Sequence, residues 1–333
     1  MCRKIIVLML FICSLHTAIQ GQVDPHFSQF YANPMWLNPG MTGVMDGGER
    51  ITAIYRNQWS AVMTPFTTTG LSADINTTKN INLGASVLSQ TAGEAGYQYL
   101  NAGLSVAYSG VRFGKDNMQQ ITIGIQAALL SRRFDPGKFQ FGDQWNAVTG
   151  YDPGVTSPDQ LTKTSASVFD AGAGLSYFDG DPDKKVSFYG GLAAFHLTRP
   201  QDPFISSSVK KYLPVRSVIH GGARISLGEN LSLTPNLLYM RQGEAREWMI
   251  GFFGQMRANE STDLLWGANF SAGDAVSPYL GVAFQQFMLG ASYDVNISDL
   301  GKAVPGTNSI EVSLTYIGRK SGKPLRYLSC PRF

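Results

Sequence analysis

The chain has 333 residues, 44% of them hydrophobic and only 15% charged, with 36 glycines and 14 tyrosines. That is length for one large β domain or two ordinary ones. A formal net charge of +3 argues against a nucleic-acid binder, and beyond the N-terminus no run of about 18 apolar residues offers a helical membrane span.

Residues 1–21 read as a signal peptide: Arg3-Lys4, then IIVLMLFICSL, then Ala18-Ile19-Gln20-Gly21. Large residues precede Cys13 where a lipoprotein signal wants small ones, so lipidation is not expected. Cleavage would remove Cys2, Cys13, Arg3 and Lys4, leaving 25 basic residues against 24 acids, a balance of +1. Cys330 would remain alone, and a lone cysteine forms no internal disulfide.

Residues 22–47 form an irregular N-terminal segment. Asp24-Pro25, Asn33-Pro34 and Asn38-Pro39-Gly40 are turn signals, since each proline fixes a local φ. Between them stand Phe27, Phe30, Tyr31, Met35 and Trp36, with neither helical nor strand periodicity. So many large apolar groups argue against disorder. The segment is expected to keep its shape by packing inside something larger, entering from the periplasm just ahead of the first strand.

From Arg50 onward, runs of about ten residues alternate apolar and polar. Leu100, Ala102, Leu104, Val106 and Tyr108 alternate with Asn101, Gly103, Ser105, Ala107 and Ser109. Ile310, Val312, Leu314 and Tyr316 do so against Glu311, Ser313 and Thr315. Period two fits a soluble sandwich or a membrane barrel. The second face is Gly, Ser, Asn, Ala and Thr rather than Lys and Glu, which suits a confined lumen, and strands ending in Tyr, Trp or Phe add an interfacial girdle. The expected fold is all-β, a transmembrane antiparallel barrel of about 14 strands over 48–318. Its strands lie near 50–58, 67–75, 81–89, 97–111, 119–133, 168–178, 186–197, 216–227, 231–241, 247–256, 264–272, 275–284, 286–294 and 309–317. The longest breaks, 134–167, 198–215 and 295–308, then share one side, as outer loops should. Outer-membrane lipid is the first partner, and both termini are expected in the periplasm. A lumen of this width can be filled, and the N-terminal segment is the candidate plug.

In the longest loop Phe134, Phe139, Phe141, Trp145 and Tyr151 are either anchors for a partner or an internally packed cover over the barrel mouth. The tail 319–333 holds Arg319, Lys320, Lys323, Arg326 and Arg332 and no acid. It reads either as a solvated or lipid-contacting tail or as a docking handle for a periplasmic partner. Little supports chemistry. His26, His196 and His220 belong to no GxSxG, HExxH or CxxC arrangement, and His196 reads as interfacial packing at a strand end. Asp179, Asp181 and Asp183 are spaced like a calcium loop, but Lys184 stands where its bend glycine should be, so a solvated turn is expected. No catalytic residue, metal ligand or cofactor is assigned.

Four stretches taken together are similar to the PorP/SprF-like outer-membrane proteins of the type IX secretion and gliding machinery of Bacteroidetes. They are QVDPHFSQFYANPMWLNPGMTG, Tyr55-Arg56-Asn57-Gln58-Trp59, Phe195-His196-Leu197-Thr198-Arg199-Pro200, and GASYDVNISDL leading into Ile310–Gly318. The closing Cys330-Pro331-Arg332-Phe333 also resembles the family's ending. The resemblance implies a non-enzymatic barrel serving export or surface attachment of large adhesin-like proteins with a C-terminal sorting domain. It also implies partnership with other secretion components, including a periplasmic peptidoglycan-binding subunit. Mapped onto this sequence, Asp24, Pro25, Phe27, Ser28, Gln29, Tyr31, Asn33, Pro34, Asn38 and Pro39 with Tyr55–Trp59 form a motif and plug region at the periplasmic end. Phe139, Phe141, Trp145, Tyr151, Arg199 and Pro200 face substrate outside, while Arg319, Lys320, Lys323 and Arg326 dock below. The competing reading is a channel or porin for small or hydrophobic solutes.

Overall fold

The computed structural model describes residues 24–60, 64–77, 79–93, 96–157, 164–201, 212–304 and 306–318. The signal-peptide reading of 1–21 and the docking residues Arg319, Lys320, Lys323 and Arg326 lie outside them. The first strands are β1 (Glu49–Gln58), β2 (Phe66–Ile75), β3 (Ile81–Ala92), β4 (Tyr97–Phe113) and β5 (Gln119–Arg133). A two-residue pair follows, β6 (Trp145–Asn146) and β7 (Gly150–Tyr151), then β8 (Ser165–Asp179), β9 (Val186–Phe195), β10 (Arg216–Ser226) and β11 (Leu231–Gln242). The last are β12 (Ala245–Asn259), β13 (Thr262–Ser271), β14 (Ala275–Phe284), β15 (Phe287–Asn296) and β16 (Ser309–Gly318).

All of these except β6 and β7 join one antiparallel sheet, and β1 pairs with β16 from Glu49↔Gly318 to Gln58↔Ser309. The result is a closed fourteen-stranded barrel without free edges. Every strand expected from the alternating pattern forms. The β6–β7 hairpin within the longest loop was not anticipated, because two residues per strand carry no periodicity.

Burial shows which solvent each face was built for. Leu104 is 68% exposed on the outside while Ser105 beside it is 2% exposed. The same inversion runs round the wall: Ile125, Leu175, Ile250 and Leu280 face out, and Thr122, Ser176, Asn236 and Ser277 face in. An apolar outside and a polar inside is the arrangement of a barrel solvated by lipid. Aromatics cluster at the strand ends. Tyr239 lies on Trp248 with ring centroids 4.2 Å apart at one mouth, and Phe113 stacks on Tyr177 and Phe287 packs on Tyr316 at the other.

The connections 134–164, 196–215 and 297–308 all open at one end, here the long-loop mouth. The short-turn mouth carries turns such as 227–230 and 285–286, together with Glu49 and Gly318. The turn through Asp181 and Asp183 is there too. It is not fully solvated as expected: Asp179 and Asp181 are buried, each accepting a backbone N–H two residues on, and Lys184 Nζ donates to Asp179 at 2.6 Å.

Residues 24–45 occupy the lumen and are buried throughout. Short turns at Phe30–Ala32, Pro34–Leu37 and Pro39–Met41 shape them. Pro34 and Pro39 open the second and third, where their fixed φ suits a helical start and no N–H is needed. The Asn38 side chain caps the third by accepting from Gly40 N at 2.8 Å. The direction differs from expectation. Asp24 meets Tyr99 and His196 at the long-loop mouth, and Gly43 meets Asp74 at the short-turn mouth. The segment therefore runs the height of the lumen, and Asp24 and Gly318 lie at opposite mouths rather than together.

Candidate functional site

The lumen segment is held at four levels, each by polar or charged groups of the wall that face inward. At the long-loop mouth His196, just past the end of β9, is 1% exposed. Its Nε2 lies 2.6 Å from Asp24 and its Nδ1 2.6 Å from Asp170 on β8. Burial alone would lower the imidazole; the Asp24 carboxylate and the hydrogen bonds to Asp170 and Asp24 outweigh it and push His196 up to about 9. Arg216 closes the cluster. Its Nη1 is 3.4 Å from Asp24, its Nη2 donates to Trp36 O at 3.0 Å, and its guanidinium lies 4.1 Å from the Trp36 ring and 4.2 Å from that of Phe195. Sequence reasoning placed His196 in interfacial packing. Phe195 before it already faces the lumen, so strict alternation would turn His196 outward; a φ of 59° turns it inward instead, and its partners lie far away in sequence.

Somewhat deeper, at the seam where β1 meets β16, the backbone N–H groups of Ser28 and Gln29 donate to Glu311 at 2.6 and 2.9 Å. Arg56 pairs with Glu311 and, at 3.0 Å, with Asp294 on β15. The Gln29 amide bonds Ser292 and Ser313, and Asn269 Nδ2 donates to Ser28 O. Buried charges demand this degree of satisfaction, because an unpaired one costs several kcal/mol.

In the middle of the lumen small wall residues admit the backbone closely. A Cβ at Gly124 would collide with Pro39 O and one at Gly174 with the Asn38 amide. Asn38 Nδ2 donates to Leu175 O at 3.0 Å and lies 3.0 Å from His220 Nε2, while Ser176 Oγ donates to Gly40 O at 2.6 Å. At the short-turn mouth Asp74 accepts from Gly43 N and from Arg50, whose guanidinium also reaches Met41 O and Val44 O. Between these levels Phe27, Phe30, Tyr31, Trp36 and Leu37 pack with Tyr99, Leu130, Phe195, Val218, Leu238 and Met249 of the wall into one apolar cluster. Segment and wall share a core.

The residues expected to form one motif separate. Asp24, Pro25, Phe27, Ser28, Gln29, Tyr31, Asn33, Pro34, Asn38 and Pro39 all lie in the lumen. In Tyr55–Trp59 only Arg56 and Gln58 face inward; Tyr55 is 42% exposed outside, and Trp59 packs edge-on against Phe66. That stretch lies at the long-loop mouth, not the end first expected. Of the loop residues, Phe139 stacks on Phe141 and packs at a tilt against Phe134, which leans on Tyr97 of the wall. These three rings favour the packed-cover reading. Trp145 pairs with Tyr151 across the β6–β7 hairpin yet stays 56% exposed. Arg199 lies 5.9 Å over the Tyr212 ring, and Pro200 O accepts from Leu213 N, tying the ends of another loop.

Among solved structures, the Pseudomonas putida toluene transporter TodX is similar over 90% of this chain and 96% of its own, with a TM-score of 0.50 at 8% identity. The Ralstonia pickettii toluene transporter TbuX aligns over 89% and 95% with a TM-score of 0.48 at 10% identity. The KdgM porin covers 80% and 98%, with a TM-score of 0.39 at 7% identity. At such identity the TodX likeness speaks to the barrel fold alone. No curated protein matches. Residues 19–316 match the family described as type IX secretion system membrane protein PorP/SprF; with nearly the whole chain covered, the protein belongs to that family.

Proposed function

We propose that this type IX secretion membrane protein works as a closed scaffold rather than a conduit, supporting export or surface attachment of large adhesin-like proteins that carry a C-terminal sorting domain. The observation that carries the reading is the lumen segment: residues 24–45 are buried along the height of the barrel and share its core. A wall that spends its charges on holding its own chain is built for rigidity, and partners then meet its mouths. The long-loop mouth faces out, with Trp145 and Tyr151 as aromatic anchors beside the cover formed by Phe139 and Phe141. The short-turn mouth faces the periplasm, toward a peptidoglycan-binding subunit. No residue is assigned a catalytic role.

The test is conductance of the purified protein in planar bilayers, followed by crosslinking from position 145 in cells secreting such substrates. Silence in the bilayer together with crosslinks to a secreted protein is the expected result. Steady large conductance of the intact chain would replace the scaffold with a channel.

A further inference from the structure

At the long-loop mouth, beside the start of the lumen segment, is a cavity of about 290 Å³ lined by Asp24, His26, Arg216, Glu247, Ser271 and Asp274 among others. Its two sides differ in charge. Toward β10, Asp24 and Asp170 face His196 and Arg216, two acids against two cations. Toward β12–β16, Glu247, Asp274, Asp294 and Glu311 all lie within electrostatic reach of Arg56. Arg56 is committed to Glu311 and Asp294. His26 Nε2 comes within 3.5 Å of Glu247 Oε1; even an imidazolium there leaves four carboxyl groups facing two cations, with Glu247 and Asp274 on the cavity lining and Asp294 and Glu311 behind it. Arg241 and Arg246 reach the rim but are exposed.

The unsatisfied atoms on this side point the same way. Glu247 Oε1 and Ser271 Oγ on the cavity lining, and Asp294 Oδ1 and Asn269 Oδ1 behind it, are buried without a hydrogen-bond partner, and Ser271 is 3% exposed. All four can accept. Buried acceptors without donors are costly when empty, and an incoming cationic donor relieves them while drawing the flanking carboxyls to their charged form. Among the described residues no three His, Cys, Asp or Glu side chains are grouped to share a metal ion. An ammonium or guanidinium, with three or five N–H groups on an organic frame, reaches acceptors spread around a cavity wall as a bare ion does not. Burial holds the Asp274 carboxyl above the usual range; Arg56 opposes that and Asp294 adds to it. A cation placed beside it would reverse the shift.

We propose that this cavity is a binding site for an organic cation, its ammonium or guanidinium group taken between Glu247 and Asp274 with Ser271 accepting from it. The chemistry is that of a free amine or of a lysine or arginine side chain on a partner protein. The site does not depend on the scaffold reading above.

The experiment uses the full chain in detergent, with calorimetric titration and thermal melting of the barrel. The probes are n-butylammonium, arginine amide, a short peptide containing lysine and arginine, and calcium chloride, all at matched ionic strength. Organic cations are expected to bind and raise Tm, with calcium at least about tenfold weaker. The double variant Glu247→Gln/Asp274→Asn should lose about tenfold or more in affinity yet melt no lower than the parent, because it removes two carboxyls whose ionisation burial opposes. Arg246→Ala, at the exposed rim, should bind as the parent does. A peptide much tighter than either small probe identifies a partner's side chain as the source, and equal affinities identify a free amine; both uphold the site. Binding unchanged in the double variant, binding of no organic cation, or calcium as the tightest ligand would each overturn it.

Discussion

His196 gives the protein one defined response to pH. Its folded value of about 9 lies above the ordinary 6.5, so the stability it contributes is fully present below about 6.5 and is lost as pH rises through about 9. Thermal melts from pH 6 to 10 should show Tm falling over that window in the parent and falling less in His196→Gln. The seam makes a sharper demand. Removing the carboxylate in Glu311→Ala leaves Arg56 buried with only Asp294 opposite and frees the N–H groups of Ser28 and Gln29. The expected cost is about 3–5 kcal/mol, read from urea melts of the barrel in lipid vesicles. Gly124→Val tests the close approach in mid-lumen. With Pro39 O already against the glycine, the side chain has no place unless the segment shifts, and protease cleavage within residues 24–45 is the sensitive readout.

For the strands, the lipid-facing surface sets the penalty. Leu104 lies near the middle of β4 and is 68% exposed. Leu104→Arg should cost about 2–4 kcal/mol in a bilayer, whereas changes on the polar inner face act through the lumen segment instead. Strands were the legible part of the sequence because lipid on one side and a polar lumen on the other impose period two on every crossing. The same alternation carried a second message that is easier to overlook. Arg56 within AIYRNQ and Glu311 within SIEVSL are charges on the inward face, and a buried charge implies a partner. Which partner could not be read, since Ser28 and Glu311 are 283 residues apart. The proline turns and aromatics of 22–43 announced a packed segment, but nothing local in them fixed its direction through the barrel. His196 escaped notice for a related reason: its two carboxylates come from the lumen segment and a neighbouring strand.

At the scale of the whole molecule, wall and content are one folding unit. Deleting residues 22–45 strips Arg50, Arg56, Asp74 and Glu311 of part of their bonding and removes the centre of the shared core. The truncated chain is therefore expected to lose resistance to SDS at temperatures the parent withstands, besides any gain in conductance. A truncated barrel as heat-resistant as the parent would show that the wall closes on its own account.

Parity gives the lumen segment a further meaning. Fourteen crossings return a chain to the side from which it set out, so an empty barrel of this size keeps both its ends on one face of the membrane. Here the chain has already gone through once, along the axis, before the first strand begins. Fifteen passes are odd, and a single polypeptide thereby sets Asp24 inside one mouth and Gly318 at the other. Labels placed near these two residues should answer to reagents from opposite sides.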